Sequence, residues 1–276
     1  MMFKNINKLY ACGDVHGMYK KFMNVFNQVK LEKNDLMVFL GDYIDRGEEC
    51  LEMMRFVVDN IDNERMVFLK GNHEDLMIED IALKIKEIYN IETLDVKTFL
   101  KYVNERVLTE LLDEPSVEYC WVKNGGLTTI EAMLKDIVLA KQFILCALSM
   151  EVKIEVEHNG EVIYFSHAGC NARKSEQNQE ESDYLWTRED FYREYKGEHK
   201  WIVGHTPIQS FNVNELIPLY LTNNIIMCDT GSYLHDGRIS IIDLGTNEVF
   251  QDNVNEEAPY RWYEYVMPSM KMYNFE

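Results

Sequence analysis

Short apolar runs alternate with amphipathic stretches through the first ninety residues. Residues 9–11, 36–40 and 66–69 have the length and composition of buried strands. Between them, Phe22, Val25, Phe26 and Val29 and then Leu51, Met54 and Val58 fall at helical spacing, and Glu74 opens a third helical stretch reaching about Tyr89. This alternation predicts an α/β protein with parallel strands covered by helices.

The texture then changes twice. Residues 94–148 read as mostly helical, interrupted at 113–115 and at Asn124-Gly125-Gly126. Leu108, Leu111, Leu112, Ile130, Met133, Leu134 and Ile137 form the stripes that buried helix faces need, which favours core packing over a cap across a site. From residue 152 onward, short strand-like runs at 152–156, 162–165, 201–203, 225–228 and 239–242 are separated by polar turns and predict a second sheet. The polar stretch 171–182 predicts an exposed loop. The tail at 251–276 mixes acids with Tyr260, Trp262, Tyr263, Tyr265, Tyr273 and Phe275 and is expected to pack as an arm on its own domain.

Composition narrows the picture. A chain of 276 residues buries a sizeable core, and one enzyme domain over 1–250, with a helical insertion around 75–148, is the expectation. With 28 basic against 47 acidic residues the formal charge is −19, which repels polyanions and argues against nucleic acid as a general partner. The same surplus makes metal ions close to a requirement for handling any phosphorylated substrate. Six cysteines at 12, 50, 120, 146, 170 and 228 show neither Cys-x-x-Cys pairs nor dense spacing, which fits a reducing cytoplasm. No apolar run approaches the roughly 20 residues of a membrane span, and the start has no signal-peptide core.

Five islands carry candidate chemistry: Gly13-Asp14-Val15-His16-Gly17, Gly41-Asp42-Tyr43-Ile44-Asp45-Arg46-Gly47, Gly71-Asn72-His73-Glu74, Ser166-His167-Ala168-Gly169 and Gly204-His205-Thr206-Pro207. Each sets a carboxylate, amide or imidazole beside glycine, so the backbone turns sharply while oxygen and nitrogen donors converge on divalent cations. Any one of them is compatible with an ordinary turn. Three follow strand-type runs, the place where open α/β sheets keep ligands, and together the five read as a two-metal phosphoesterase centre.

With Asn124-Gly125-Gly126 and Asp229-Thr230-Gly231 added, the chain over residues 8–243 resembles the PPP-type metallophosphatases of calcineurin-like fold, closest to bacterial and phage serine/threonine protein phosphatases. The resemblance implies a β-sandwich of two mixed sheets flanked by helices. It implies that Asp14 and His16 hold one metal, that Asp42 bridges both, and that Asn72, His167 and His205 hold the other. Manganese is the ion the likeness favours, and the donor set also suits iron or zinc. Two such cations, roughly 3.5 to 4 Å apart, would activate a bridging hydroxide against phosphorus. By the same resemblance His73 is the general acid, Asp45 orients it, and Arg46 and Arg188 bind phosphoryl oxygens. The competing reading of Arg188 is a surface ion pair with Glu189 or Asp190.

Departures from the family pattern are Lys70, where relatives often carry arginine, and Tyr233, His235 and Asp236 after Asp229-Thr230-Gly231. His158, His199 and His235 lie outside the islands and read as ordinary surface histidines. The expected substrate is a phosphorylated protein or small phosphoester; oligomeric state is left open. The nearest alternative is a symmetrical dinucleoside polyphosphate hydrolase of the diadenosine tetraphosphate type. Such enzymes typically carry Ala-Arg-Gly in place of Asp45-Arg46-Gly47 and end the third island in Asp rather than Glu74. A non-catalytic phosphate-binding scaffold would usually have lost a ligand, and none is missing. A cysteine phosphatase would need Cys-x5-Arg, and no cysteine here has it.

Overall fold

A computed structural model describes residues 2–113, 120–211 and 216–252. The expected aromatic arm and most of the break at 113–115 lie outside the described residues. The chain begins with β1 (Met2–Phe3), β2 (Leu9–Cys12), α1 (Tyr19–Phe26), β3 (Leu36–Phe39), α2 (Cys50–Asn60), β4 (Met66–Phe68) and α3 (Asn72–Tyr89). Four further helices follow: α4 (Val96–Tyr102), α5 (Glu105–Asp113), α6 (Leu127–Lys135) and α7 (Ile137–Ser149). The second half supplies β5 (Lys153–His158), β6 (Glu161–Ser166), α8 (Glu181–Trp186), α9 (Glu189–Glu194), β7 (Lys200–Val203), β8 (Leu219–Leu221), β9 (Ile225–Met227), β10 (Ser240–Asp243) and β11 (Val249–Gln251).

These strands form two mixed sheets, ordered β1-β5-β6-β7-β9-β8 and β11-β10-β2-β3-β4. In the second, β2, β3 and β4 are parallel, as the strand–helix alternation predicts. The run at 239–242 departs from expectation: β10 joins this sheet, antiparallel to β2, rather than the sheet of its sequence neighbours. Burial explains the choice. Ile239 and Ile241 join the helix-side core, whereas Ile242 joins the core between the sheets, so β10 is apolar on both faces.

Alternate residues sort the central strands between two cores. Leu9 and Ala11 of β2, with Leu36 and Val38 of β3, meet Ile154, Val156, Phe165 and Ile202 of the facing sheet. Tyr10, Cys12, Met37 and Phe39 point the other way, into a helix-covered core. Leu108, Leu111, Ile130 and Met133 lie in that core, and Leu112, Leu134 and Ile137 pack against it. Full burial of each large side chain stabilises the fold by about 1.5–3 kcal/mol. Asp95 and Asp136 start α4 and α7 by accepting the Thr98 and Leu139 amides at 2.7 and 3.0 Å.

His158 corrects an expectation. It is buried, because the Asn159-Gly160 turn ends the β5–β6 hairpin under the loop at Gly245, where an added Cβ would meet His158 Nε2 at 3.4 Å. His199 and His235 are exposed.

Candidate two-metal centre

The loops that follow β2, β3, β4, β6, β7 and β9 meet at one end of the sheets. His16 donates its amide to Asp42 O at 2.9 Å, Gly47 to His16 O at 3.0 Å and Gly204 to His167 O at 2.8 Å. His205 donates its amide to both carboxylate oxygens of Asp14 at 3.1 Å. Sharp turning is visible in the backbone: φ is +49° at His16, +55° at Asp42, +72° at Asp45, +69° at Arg46 and +66° at His205. Each such left-handed residue costs on the order of 1–3 kcal/mol, and the inter-loop hydrogen bonds over-determine the strained conformation. Gly71 permits the closest approach, since a Cβ there would stand 2.2 Å from Asp42 Oδ1.

Glu74, a residue of the third island with no role read from sequence, fastens these loops. Its carboxylate accepts the amides of Tyr43 and Asp42 at 2.9 Å and of Gly71 at 3.0 Å. Burial, then the neighbouring Asp42 carboxylate, pushes its carboxyl up to about 8 against the pull of these donors. Glu74→Gln would set an amide donor against backbone donors. The expected result is a loss of about 1–3 kcal/mol in stability, read from the denaturant midpoint. A midpoint equal to wild type would show that the strap is dispensable.

Two clusters of buried donors share Asp42: His16, Asp42 and His73, and Asp42, His167 and His205, the atoms of each within 4.8 Å of one another. Asp14 borders the first, its Oδ2 3.9 Å from His16 Nε2. Asn72 belongs to the second, with Oδ1 2.8 Å from both His167 Nε2 and His205 Nδ1. All six ligand residues expected from sequence are thus brought together, and His73 joins them geometrically.

The donors fit divalent cations. His16 Nδ1 faces Ile44 O at 3.0 Å and His167 Nδ1 faces Leu40 O at 2.7 Å. Each ring therefore gives its N–H to a carbonyl and turns the Nε2 lone pair to the centre. Around His167 Nε2 stand the Asn72 carbonyl oxygen at 2.8 Å and Asp42 Oδ2 at 3.4 Å. Acceptors so close repel one another unless a cation lies among them. Burial, followed by Arg46 for one and Arg188 for the other, holds His16 and His205 well below the usual imidazole range, which keeps them neutral. Asp14 is driven up by burial, then by Asp229 and Asp42, which a bound cation would relieve.

Beside the clusters, His73 Nδ1 is 2.6 Å from Asp45 Oδ2. Asp45 is itself immobilised: Trp121 Nε1 donates to both its oxygens at 2.9 and 2.8 Å, and Thr129 Oγ1 donates to Oδ1 at 2.5 Å. Trp121 and Thr129 carry no local signal, since they reach the site from the helical segment 76 and 84 positions away. Between them the chain kinks from one helix to the next at Gly125 (φ +107°), a conformation that favours glycine, and Gly125 O accepts the Arg46 amide at 3.1 Å.

Arg46 is half-buried and lies against His16 and His73. Arg188 donates to Thr206 Oγ1 at 2.8 Å, and Tyr192 OH donates to the same oxygen at 2.8 Å. Glu189 and Asp190 pair with Arg193 and Arg173 instead, so the surface-pair reading of Arg188 does not describe this arrangement. Lys70 turns toward Glu181 at 3.8 Å. Asp229 is buried with Oδ2 unpartnered, and burial raises its carboxyl to about 6.

The same architecture occurs in solved structures of low sequence identity. One, provisionally assigned as a diadenosine tetraphosphatase, is 12% identical with a TM-score of 0.56 over 91% of this chain and 96% of its own. A protein serine/threonine phosphatase from Saccharomyces cerevisiae, with similarity to human phosphatase PP5, is 12% identical with a TM-score of 0.53 over 94% of this chain and 85% of its own. A hypothetical protein from Pyrococcus horikoshii OT3 is 10% identical with a TM-score of 0.52 over 93% and 89%. At such identity the likeness is one of fold. The family model for calcineurin-like phosphoesterases matches residues 8–228, and its members are metal-binding hydrolases of phosphate esters, chemistry for which the two donor clusters are suited. The chain belongs to the calcineurin-like phosphoesterases.

Proposed function

We propose that the protein is a PPP-type phosphomonoesterase of the cytoplasm that removes phosphate from serine or threonine side chains of proteins, with manganese as its ion. Asp14, His16 and Asp42 would hold one ion, and Asp42, Asn72, His167 and His205 the other. Bound there, two divalent ions supply Lewis-acid charge and an activated water. The chain's own residues do the rest. Arg46 and Arg188 bind and orient the non-bridging phosphoryl oxygens. His73 Nε2 delivers a proton to the departing serine or threonine oxygen, while Asp45 keeps the N–H on Nδ1 and steadies the imidazolium.

The observation that carries this reading is the His73–Asp45 contact at 2.6 Å, buried and braced by Trp121 and Thr129. An alkoxide is a poor leaving group and needs a positioned acid; a polyphosphate leaving group does not need one to the same degree. The net charge of −19 also disfavours a polyanionic substrate. The test is kcat/KM, with Mn2+, on a phosphothreonine peptide and on diadenosine tetraphosphate. The peptide is expected to win by about a hundredfold or more, the discrimination a site built around one leaving group achieves. Faster cleavage of the tetraphosphate would replace this reading with the dinucleotide one.

A further inference from the structure

Arg46 lies across the nitrogens of the first cluster, its Nη1 2.5 Å from His16 Nε2 and its Nη2 3.0 Å from His73 Nε2. His16 gives its only N–H to Ile44 O, so Nε2 has one electron pair to offer. The guanidinium N–H occupies that pair, and a cation cannot share it. The side chain is pressed into this pose. Its stem rests on Gly125, where an added Cβ would meet Cγ at 2.8 Å, and its guanidinium stacks on Tyr233 at 4.1 Å. Tyr233 in turn sets its ring against His16, centroids 5.1 Å apart. None of these partners is an anion. A phosphoryl group, offering two charged oxygens to the fork, is the better partner and would draw the guanidinium away.

We propose that Arg46 competes with the first divalent ion for His16 Nε2, and that Tyr233 holds it in the competing pose until phosphate takes it. This rests on the two-ion reading above. By linkage, phosphate then tightens the first ion as much as the first ion tightens phosphate, so that cluster fills chiefly in the presence of substrate.

Titrating the full-length protein with Mn2+ alone in a calorimeter tests this without reference to turnover. Wild type is expected to show one tight and one weaker site. In Arg46→Met the weaker site should tighten by about tenfold, the scale of a lost hydrogen bond to a charged donor. In Tyr233→Leu, which keeps the positive charge but removes the ring that presses it on His16, the weaker site should tighten in the same direction. Tightening in both variants supports the competition; tightening in Arg46→Met alone reports only relief of charge repulsion and overturns it, as does tightening in neither. The tight site, which does not include His16, serves as the check on folding, and if Arg46→Met loses it the Tyr233→Leu comparison decides. Wild-type protein that binds no Mn2+ overturns the two-ion reading and this inference together; two ions bound with variants no tighter overturns the inference alone.

Discussion

Replacing His73 with asparagine is expected to lower kcat on a phosphoserine or phosphothreonine peptide by about a hundred- to ten-thousand-fold, the range for loss of a positioned general acid. An aryl phosphate should suffer much less, because a phenolate leaves without a full proton. The shorter side chain would also break the 2.6 Å contact with Asp45. Asp45→Asn tests the same pair from the other side: it keeps the shape but puts a donor or a neutral oxygen against Nδ1, and a smaller loss of about ten- to a hundredfold is expected. His73 Nε2 also stands 3.9 Å from Asp42 Oδ2, within the first donor cluster. A ligand role and an acid role separate cleanly here. Equal losses on aryl and alkyl esters, accompanied by loss of Mn2+ uptake, would make His73 a ligand and remove the acid from the scheme.

Asp42→Asn should abolish turnover by a different route, with Mn2+ uptake falling at both clusters, since each contains the Asp42 carboxylate. Stability separates this from misfolding. Asp42 Oδ1 accepts the His73 amide at 3.0 Å, closing the first turn of the 18-residue helix α3, and asparagine retains an oxygen for that bond. Asp42→Ala loses it, a cost of about 0.5–2 kcal/mol. The expectation is that Asn and Ala variants lose metal equally, measured by equilibrium dialysis, while only Ala lowers the melting temperature appreciably. Asp14→Asn should weaken one site and spare the other. Two ions retained by Asp42→Asn would refute a shared carboxylate.

Much of this centre could be read along the chain because its parts are local. Each island pairs a candidate ligand with glycine at a strand end, and parallel strands deliver their ends to one side of a sheet. The runs at 9–11, 36–40 and 66–69 became β2, β3 and β4 because short apolar runs ending in glycine turns suit strands buried on both faces. Three edge strands were not legible: β1, β8 and β11 have two or three residues each and stand at the rims of the sheets, where partial exposure relaxes the demand for a buried apolar run. The burial of His158 did have a local signal: it continues the alternation of Ile154 and Val156 on the inward face of β5, and the distant loop at Gly245 covers it.

Residue type and spacing alone determined the α/β class and the parallel core of one sheet, and marked the glycine-flanked islands in which candidate donors stand. Tertiary structure decided what those donors face. Ile44 O and Leu40 O choose which nitrogen of His16 and His167 is free. Trp121 and Thr129, sent from a helical segment far along the chain, immobilise Asp45, and Tyr233 sets the pose of Arg46. The physical reason is that a donor's chemistry is a property of its side chain, whereas its tautomer, charge and direction are set by whichever neighbours burial brings within about 3 Å, the reach of a hydrogen bond, and those come from anywhere in the chain.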